Sequence, residues 1–315
     1  SQSFQYLPFS SLYPTDVIVS FLILSLLGPF GVVPRCILVA YGGIKVLYPH
    51  VSLAGFSAFF SLIMLGIIWQ ENKIVPIIGK FLGPLKIGAI LMIIFFAFIN
   101  IDPLETTPPQ INPFFQGIKE GYQTMDLLAA FFFSITIVEY LRKIMVNTKD
   151  MLKISLYSAL LGGALIAAIY TCFVILGAYY ADSLKFLKPE EYLASITLIS
   201  LGKHATFVIA FTMFLACLTT AATLSRLFSE FLSQDIFRHK VSYKYATLLT
   251  LSISFLFSLM GFSSITSLLG IILQNMYPAL IMLMMTSFLY KYRQINIVKE
   301  SFWITLVISI IWSSL

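Results

Sequence analysis

Charge is scarce in this 315-residue chain: Asp, Glu, Lys and Arg together make up 11%, less than half the roughly 25% of an ordinary soluble domain. So few charges cannot cover a water-facing surface of this size. A soluble fold would expose large apolar patches and aggregate. Cysteine is as sparse. Cys36, Cys172 and Cys217 stand singly inside apolar runs, with no C-x-x-C spacing. That excludes a disulfide-rich secreted module and leaves small hydrophobes in helix packing as the plain reading. Histidine is limited to His50, His204 and His239, on different links. No His/Glu pair has metal spacing, and neither Gly-x-Ser-x-Gly nor a P-loop occurs. No enzyme and no organic cofactor is expected, and any transport must be driven by a gradient or a partner rather than by ATP hydrolysis in this chain. Residues Ser1 to Asp16 carry no basic residue, so no cleavable signal peptide is read there.

What the chain has is apolar length: 59% hydrophobic residues, 29 Phe among them, and a mean hydropathy of +0.92. The class is an all-α polytopic membrane protein, with lipid as its main surroundings. Nine spans are expected: A (16–41), B (51–69), C (82–100), D (115–141), E (152–180), F (205–233), G (244–260), H (266–290) and I (301–315). The stretch 189–203 between E and F repeats apolar residues at helical spacing and reads as an interfacial helix. The net charge of +6 forms no stripe interleaved with aromatics, so no nucleic-acid partner is read. It follows the links instead. Of the 20 basic residues, fourteen fall in links B–C, D–E, F–G and H–I, five fall in the opposite links, and Arg35 lies inside span A. That asymmetry puts the N-terminus and the four basic links in the cytoplasm. The proline-rich link C–D (Pro103, Pro108, Pro109, Pro113) reads as a stiff external connection, and Gly79–Pro84 and Gly261–Ser264 read as helix breaks. The abrupt ends of the chain suit a fragment of a longer carrier.

Polar residues inside the spans carry the functional signal, because ionisable groups in lipid cost several kcal/mol unless paired or hydrated. Asp126 ends the run Gly121-Tyr122-Gln123-Thr124-Met125-Asp126, ahead of the apolar stretch from Leu127. A glycine and three polar residues in six positions weaken a membrane helix. Such a break frees backbone groups to hold substrate or ions near the bilayer middle. The alternative is a span that simply begins at Asp126, with the side chain as a cap. In span F, Thr219 and Thr223 share a face and Thr220 lies beside them. Their hydroxyls suit a Na⁺, or else bond back to their own helix while neighbouring small residues pack. Span A holds Gly28, Pro29, Gly31, Pro34 and Arg35 within eight residues, a kink followed by a charge that must pair, snorkel or face water. Asp126 is one candidate partner for it.

These segments resemble the bacterial branched-chain amino acid transport system II carriers, the Leu/Ile/Val:cation symporters. The resemblance rests on Gly28-Pro29-Phe30-Gly31-Val32-Val33-Pro34-Arg35, on Phe81-Leu82-Gly83-Pro84-Leu85-Lys86, on Gly121 to Asp126 with Leu127-Leu128-Ala129-Ala130, and on Ala216-Cys217-Leu218-Thr219-Thr220-Ala221. It implies one transporter domain over residues 1–315 with a LeuT-type inverted-repeat fold, spans A to I matching family helices three to eleven. The first two helices and the C-terminal end would then lie outside this chain. Tyr122, Thr124, Asp126 and Ala129 would meet the substrate at an unwound sixth helix, with Phe131, Phe132 and Phe133 available to an apolar pocket. Thr219, Thr220 and Thr223 would meet a sodium ion on the eighth helix, and Gly28, Pro29, Pro34, Arg35 and Gly121 would shape or gate the path. After Pro34-Arg35 the family shows threonines and then an acidic residue, whereas Cys36, Leu38, Ala40 and Gly42 follow here. The implied activity is symport of Leu, Ile or Val with Na⁺ or H⁺ by alternating access in the bacterial inner membrane, with lipid and small-molecule partners and no obligate protein partner. The other class open to the sequence is a truncated, non-transporting remnant of such a carrier.

Overall fold

The computed structural model describes residues 15–69, 74–99, 113–130, 133–134, 141, 148–238, 240–293 and 298–314. Among them every regular element is a helix. Span A becomes two helices, α1 (Thr15–Leu27) and α2 (Val32–Leu47). Between them Pro29 has no N–H to give. The neighbouring amides reach one residue further than a regular helix, Phe30 to the Ser25 carbonyl (3.1 Å) and Val33 to the Gly28 carbonyl (3.2 Å). A Cβ on Gly31 would overlap the Leu26 carbonyl oxygen, so this wide turn needs glycine there. Pro34 falls in the first turn of α2, where no intrahelical bond is lost.

Helices α3 (Leu53–Trp69) and α4 (Ile74–Ile99) follow, then α5 (Pro113–Tyr122). The chain unwinds over 123–125 and a new helix opens at Asp126. Beyond it come α6 (Thr148–Tyr179), a single turn at Ala181–Leu184 and a 3₁₀ turn at Pro189–Glu191. Helix α7 (Tyr192–Phe231) bends at Gly202, whose φ of 77° and ψ of 178° are open to glycine and little else. The bend divides the expected interfacial helix from span F. A π-turn (Leu232–Ile236) leads to α8 (Tyr243–Ser258), α9 (Phe262–Arg293) and α10 (Val298–Ser314). Gly261 (φ 83°) makes the expected break before α9. The break expected at Gly79–Pro84 is absent: α4 runs through it with Pro84 inside the helix. A membrane helix tolerates proline because leaving the helix would strand more backbone groups than the one bond proline removes. The proline-rich link at 100–112 lies outside the described residues.

Four described segments are long and apolar enough to cross a membrane: Ser20–Leu47, Asp150–Tyr179, Pro189–Ile236 and Phe262–Thr286. Shorter apolar helices lie at Leu53–Trp69, Ile87–Ile99 and Glu300–Ile311. Lipid gives helices no water-driven reason to associate, so they hold by close fit and by hydrogen bonds between them. Helices α2 and α7 run antiparallel, with Gly28 against Phe228 and Gly43 against Ala210. Ser229, between the Ser225 carbonyl (2.7 Å) and the Thr250 hydroxyl (3.1 Å), ties α7 to α8 in a buried setting. At the C-terminal end of α2, Lys45 pairs with Glu191 at 2.7 Å, and the Glu190 carbonyl sits directly over Gly42. The main core gathers Leu27, Ile37 and Leu38 with Met125 and Leu128, Ala221 and Ala222, and Ile265 and Leu269. It therefore surrounds both chain breaks.

Candidate functional site

The site is built where the two breaks meet. In the second break the amides of Gln123, Thr124 and Met125 each reach only three residues back, to Glu120, Gly121 and Tyr122. Met125 then turns into the left-handed region with φ 58°, a conformation that costs a non-glycine residue about 1–2 kcal/mol. The carbonyl of Met125 starts the next helix by accepting from Ala129 (3.0 Å). Packing holds the strained residue: its side chain is 1% exposed, and its methyl group lies 3.3 Å from where a Cβ on Gly31 would stand. A larger residue at position 31 would press on the second break as well as the first.

Arg35 faces this junction. Its Nη1 donates to the Gln123 carbonyl and its Nη2 to Gln123 Oε1, both at 2.8 Å, and the guanidinium lies 5.6 Å from the Phe262 ring centre. Gln123 Nε2 in turn donates to the Thr266 carbonyl (3.2 Å). Gly270 makes room for that amide, since a Cβ there would come within 2.6 Å of Nε2. Asp126, the candidate partner for Arg35 in the sequence, does not pair with it. The unwound turn aims Gln123 at α2, while the carboxyl of Asp126, at the start of the next helix, faces α6 and accepts from the Tyr170 hydroxyl at 2.8 Å. Tyr122 stacks on Tyr277 with ring centres 4.7 Å apart. The Tyr277 hydroxyl is buried beside the backbone of Leu127 and Leu128, at the start of the helix that follows the break. Thr124 is exposed and donates to the Gly121 carbonyl (2.9 Å), and Ala129 packs on the main core.

The structure thus brings Gly28, Pro29, Gly31, Pro34 and Arg35 up to the break that carries Gly121, Tyr122, Thr124 and Asp126. The threonines of α7 stand on the helix beside α2. Thr219 and Thr220 donate to the Ala216 carbonyl (2.9 and 3.0 Å), and Thr223 donates to the Thr219 carbonyl (2.8 Å). Phe133 is exposed, and Phe131 and Phe132 lie outside the described residues. Among the described residues no group of three His, Cys, Asp or Glu side chains could hold a metal ion. Sequence reasoning did not single out Gln123, Tyr170, Thr266 or Gly270. Gln123 was visible as an amide inside an apolar span; the others lie on distant helices, and only the fold reveals them.

With this geometry in hand, residues 10–315 match the profile of the branched-chain amino acid transport proteins. The chain belongs to that family. It is 30% identical to the branched-chain amino acid permease BrnQ of Bacillus subtilis over 90% of its own length and 66% of the permease. It is 28% identical to the branched-chain amino acid transport system 3 carrier protein of Pseudomonas aeruginosa, over 83% of this chain and 61% of that one. The corresponding match to BrnQ of Lactobacillus delbrueckii is 28% over 86% and 64%. The chain therefore spans just under two thirds of the length of these relatives. No solved structure matches it. The family is one of transporters, not enzymes, and its all-helical apolar architecture here is that of a multi-pass membrane protein.

Proposed function

We propose that this chain forms the greater part of a secondary carrier for branched-chain amino acids, coupled to Na⁺ or H⁺ and working by alternating access in a bacterial inner membrane. The observation that carries the reading is the meeting of two helix breaks around half-buried polar side chains. A carrier needs freed backbone groups and a few ionisable residues at a membrane-depth junction, and a purely structural bundle gains nothing from them. In this reading the amino acid meets the break at Tyr122, Thr124, Asp126 and Ala129, and its branched side chain enters the apolar surroundings. Thr219, Thr220 and Thr223 offer oxygens to the coupling cation. Gly28, Pro29, Pro34, Arg35 and Gly121 shape the two breaks so that they shift together. The domain is a single LeuT-type unit, its spans answering to family helices three to eleven, with the start of α1 on the cytoplasmic side. Cargo and cation would favour the loaded conformation in proportion to how much better they bind it. Uptake of labelled leucine into vesicles, with and without an inward Na⁺ or H⁺ gradient, tests the proposal. Accumulation that follows one of the gradients is expected, and none with either would reject it.

A further inference from the structure

Arg35 is a part-buried cation inside an apolar segment, and it differs from the two described cations that are ion-paired. Lys45 has Glu191 at 2.7 Å and Arg226 has Glu230 at 2.7 Å. Arg35 has no carboxylate within ion-pair distance among the described residues; both of its Nη atoms end on the neutral oxygens of Gln123, and its Nε, shielded from solvent, makes no hydrogen bond. Its depth makes this more telling. It lies twelve residues from Leu47, the nearer end of the candidate span, about 18 Å along α2 at 1.5 Å per residue. An unneutralised guanidinium at that depth is costly. The oxygens it holds describe the missing charge: two acceptors at equal distance, one on each Nη, is the fork that guanidinium offers a carboxylate.

From this we infer that Arg35 is the subsite for the α-carboxylate of the transported amino acid, and that Gln123 occupies the fork when cargo is absent. The inference rests on the transport reading above and names the group that reads one end of its substrate. Exchange is local. The Gln123 Nε2 stays bonded to the Thr266 carbonyl, so only the Oε1 end of the amide has to give up its donor when the guanidinium turns to the carboxylate. The arriving carboxylate supplies the negative charge that the amide cannot. Because Gln123 belongs to the same unwound turn as Met125, release of its carbonyl also loosens the second break, which couples binding of the carboxylate to movement of that helix.

The test is equilibrium binding of leucine and of leucinol, its carboxylate-free amino alcohol, to the protein purified as its gene encodes it. The unmodified protein should prefer leucine by about ten- to hundredfold, the range for a charge-assisted pair. In Arg35→Gln the leucine affinity should fall by that factor while leucinol affinity stays within about twofold; Arg35→Lys, which keeps the charge and loses the fork, should fall between. Gln123→Glu puts a carboxylate permanently against Arg35 and gives a variant that gains an ion pair rather than losing one. It should weaken leucine selectively and raise the melting temperature. Equal losses for both ligands in Arg35→Gln, or undiminished leucine binding in Gln123→Glu, would overturn the assignment and leave Arg35 a helix clamp. If the unmodified protein binds leucinol as tightly as leucine, the subsite is refuted while the transport reading stands. If it binds neither, the transport reading falls and takes the subsite with it.

Discussion

Gln123 in the unwound turn and Asp126 at the start of the next helix lie three residues apart, yet they look in different directions, Asp126 to Tyr170 on α6 and Gln123 to Arg35 on α2. The handedness of Met125 between them produces this divergence, so the turn serves two helices at once. If Asp126 meets the cargo, Asp126→Asn should lower leucine uptake at least tenfold, about 1.4 kcal/mol, with normal amounts of protein in the membrane. Tyr170→Phe removes one hydrogen bond of about 1 kcal/mol and should lower uptake several-fold. Uptake and immunoblots of the same membranes decide the matter, because loss of protein in parallel with loss of uptake would make Asp126 a structural residue. The α7 threonines are a different case. Their hydroxyl hydrogens are spent on their own helix, so in the proposed carrier any role with a cation would fall to their oxygen lone pairs.

Among the helices, most of the fold was legible. Apolar length fixes a membrane helix almost by itself, so the described helices overlap the expected spans, with an earlier start for α4 and a later end for α2. Only four described segments, though, are long and apolar enough to cross a membrane, and most of the second half of span D lies outside the described residues. Pro29 with Gly31, and the polar run before Asp126, announced their breaks because each removes a backbone donor or adds competing groups. Gly79–Pro84 has the same composition and does not break, since composition reports a weakness and the surroundings decide whether the chain yields. The pairing of side chains was hidden for another reason: Arg35 meets Gln123 across 88 positions of sequence, a separation that no local pattern encodes. The bend in α7 gives a prediction at this scale. Gly202 is exposed, with open space around it and φ 77°, so Gly202→Ala tests conformation and not crowding. It should lower stability by about 1–2 kcal/mol and show as a lower melting temperature of the detergent-solubilised protein. An unchanged melting temperature would mean that the bend is not held at this residue.

For the molecule as a whole, the basic links predict an orientation that can be read by labelling. Phe186, 93% exposed, lies between α6 and α7, and Lys240 lies between α7 and α8. Phe186→Cys should react with a membrane-impermeant maleimide on intact cells, and Lys240→Cys only after permeabilisation; the reverse pattern would invert the topology. The native cysteines at 36, 172 and 217 are partly buried, which favours a low background. The two halves of α6 are held quite differently. Its C-terminal end is packed, with Leu176 and Tyr180 set among Ile94, Ala97 and Ile196. From Leu152 to Tyr170 none of its side chains is buried; Ile169 packs at the edge of that cluster, and the phenol of Tyr170 donates to Asp126. Among the described residues the Tyr170 phenol is the polar tie between this lightly packed stretch and the break at Asp126. Occupying or neutralising that carboxyl group would undo the tie and leave about 27 Å of helix, Leu152 to Tyr170, to be held by apolar contact alone.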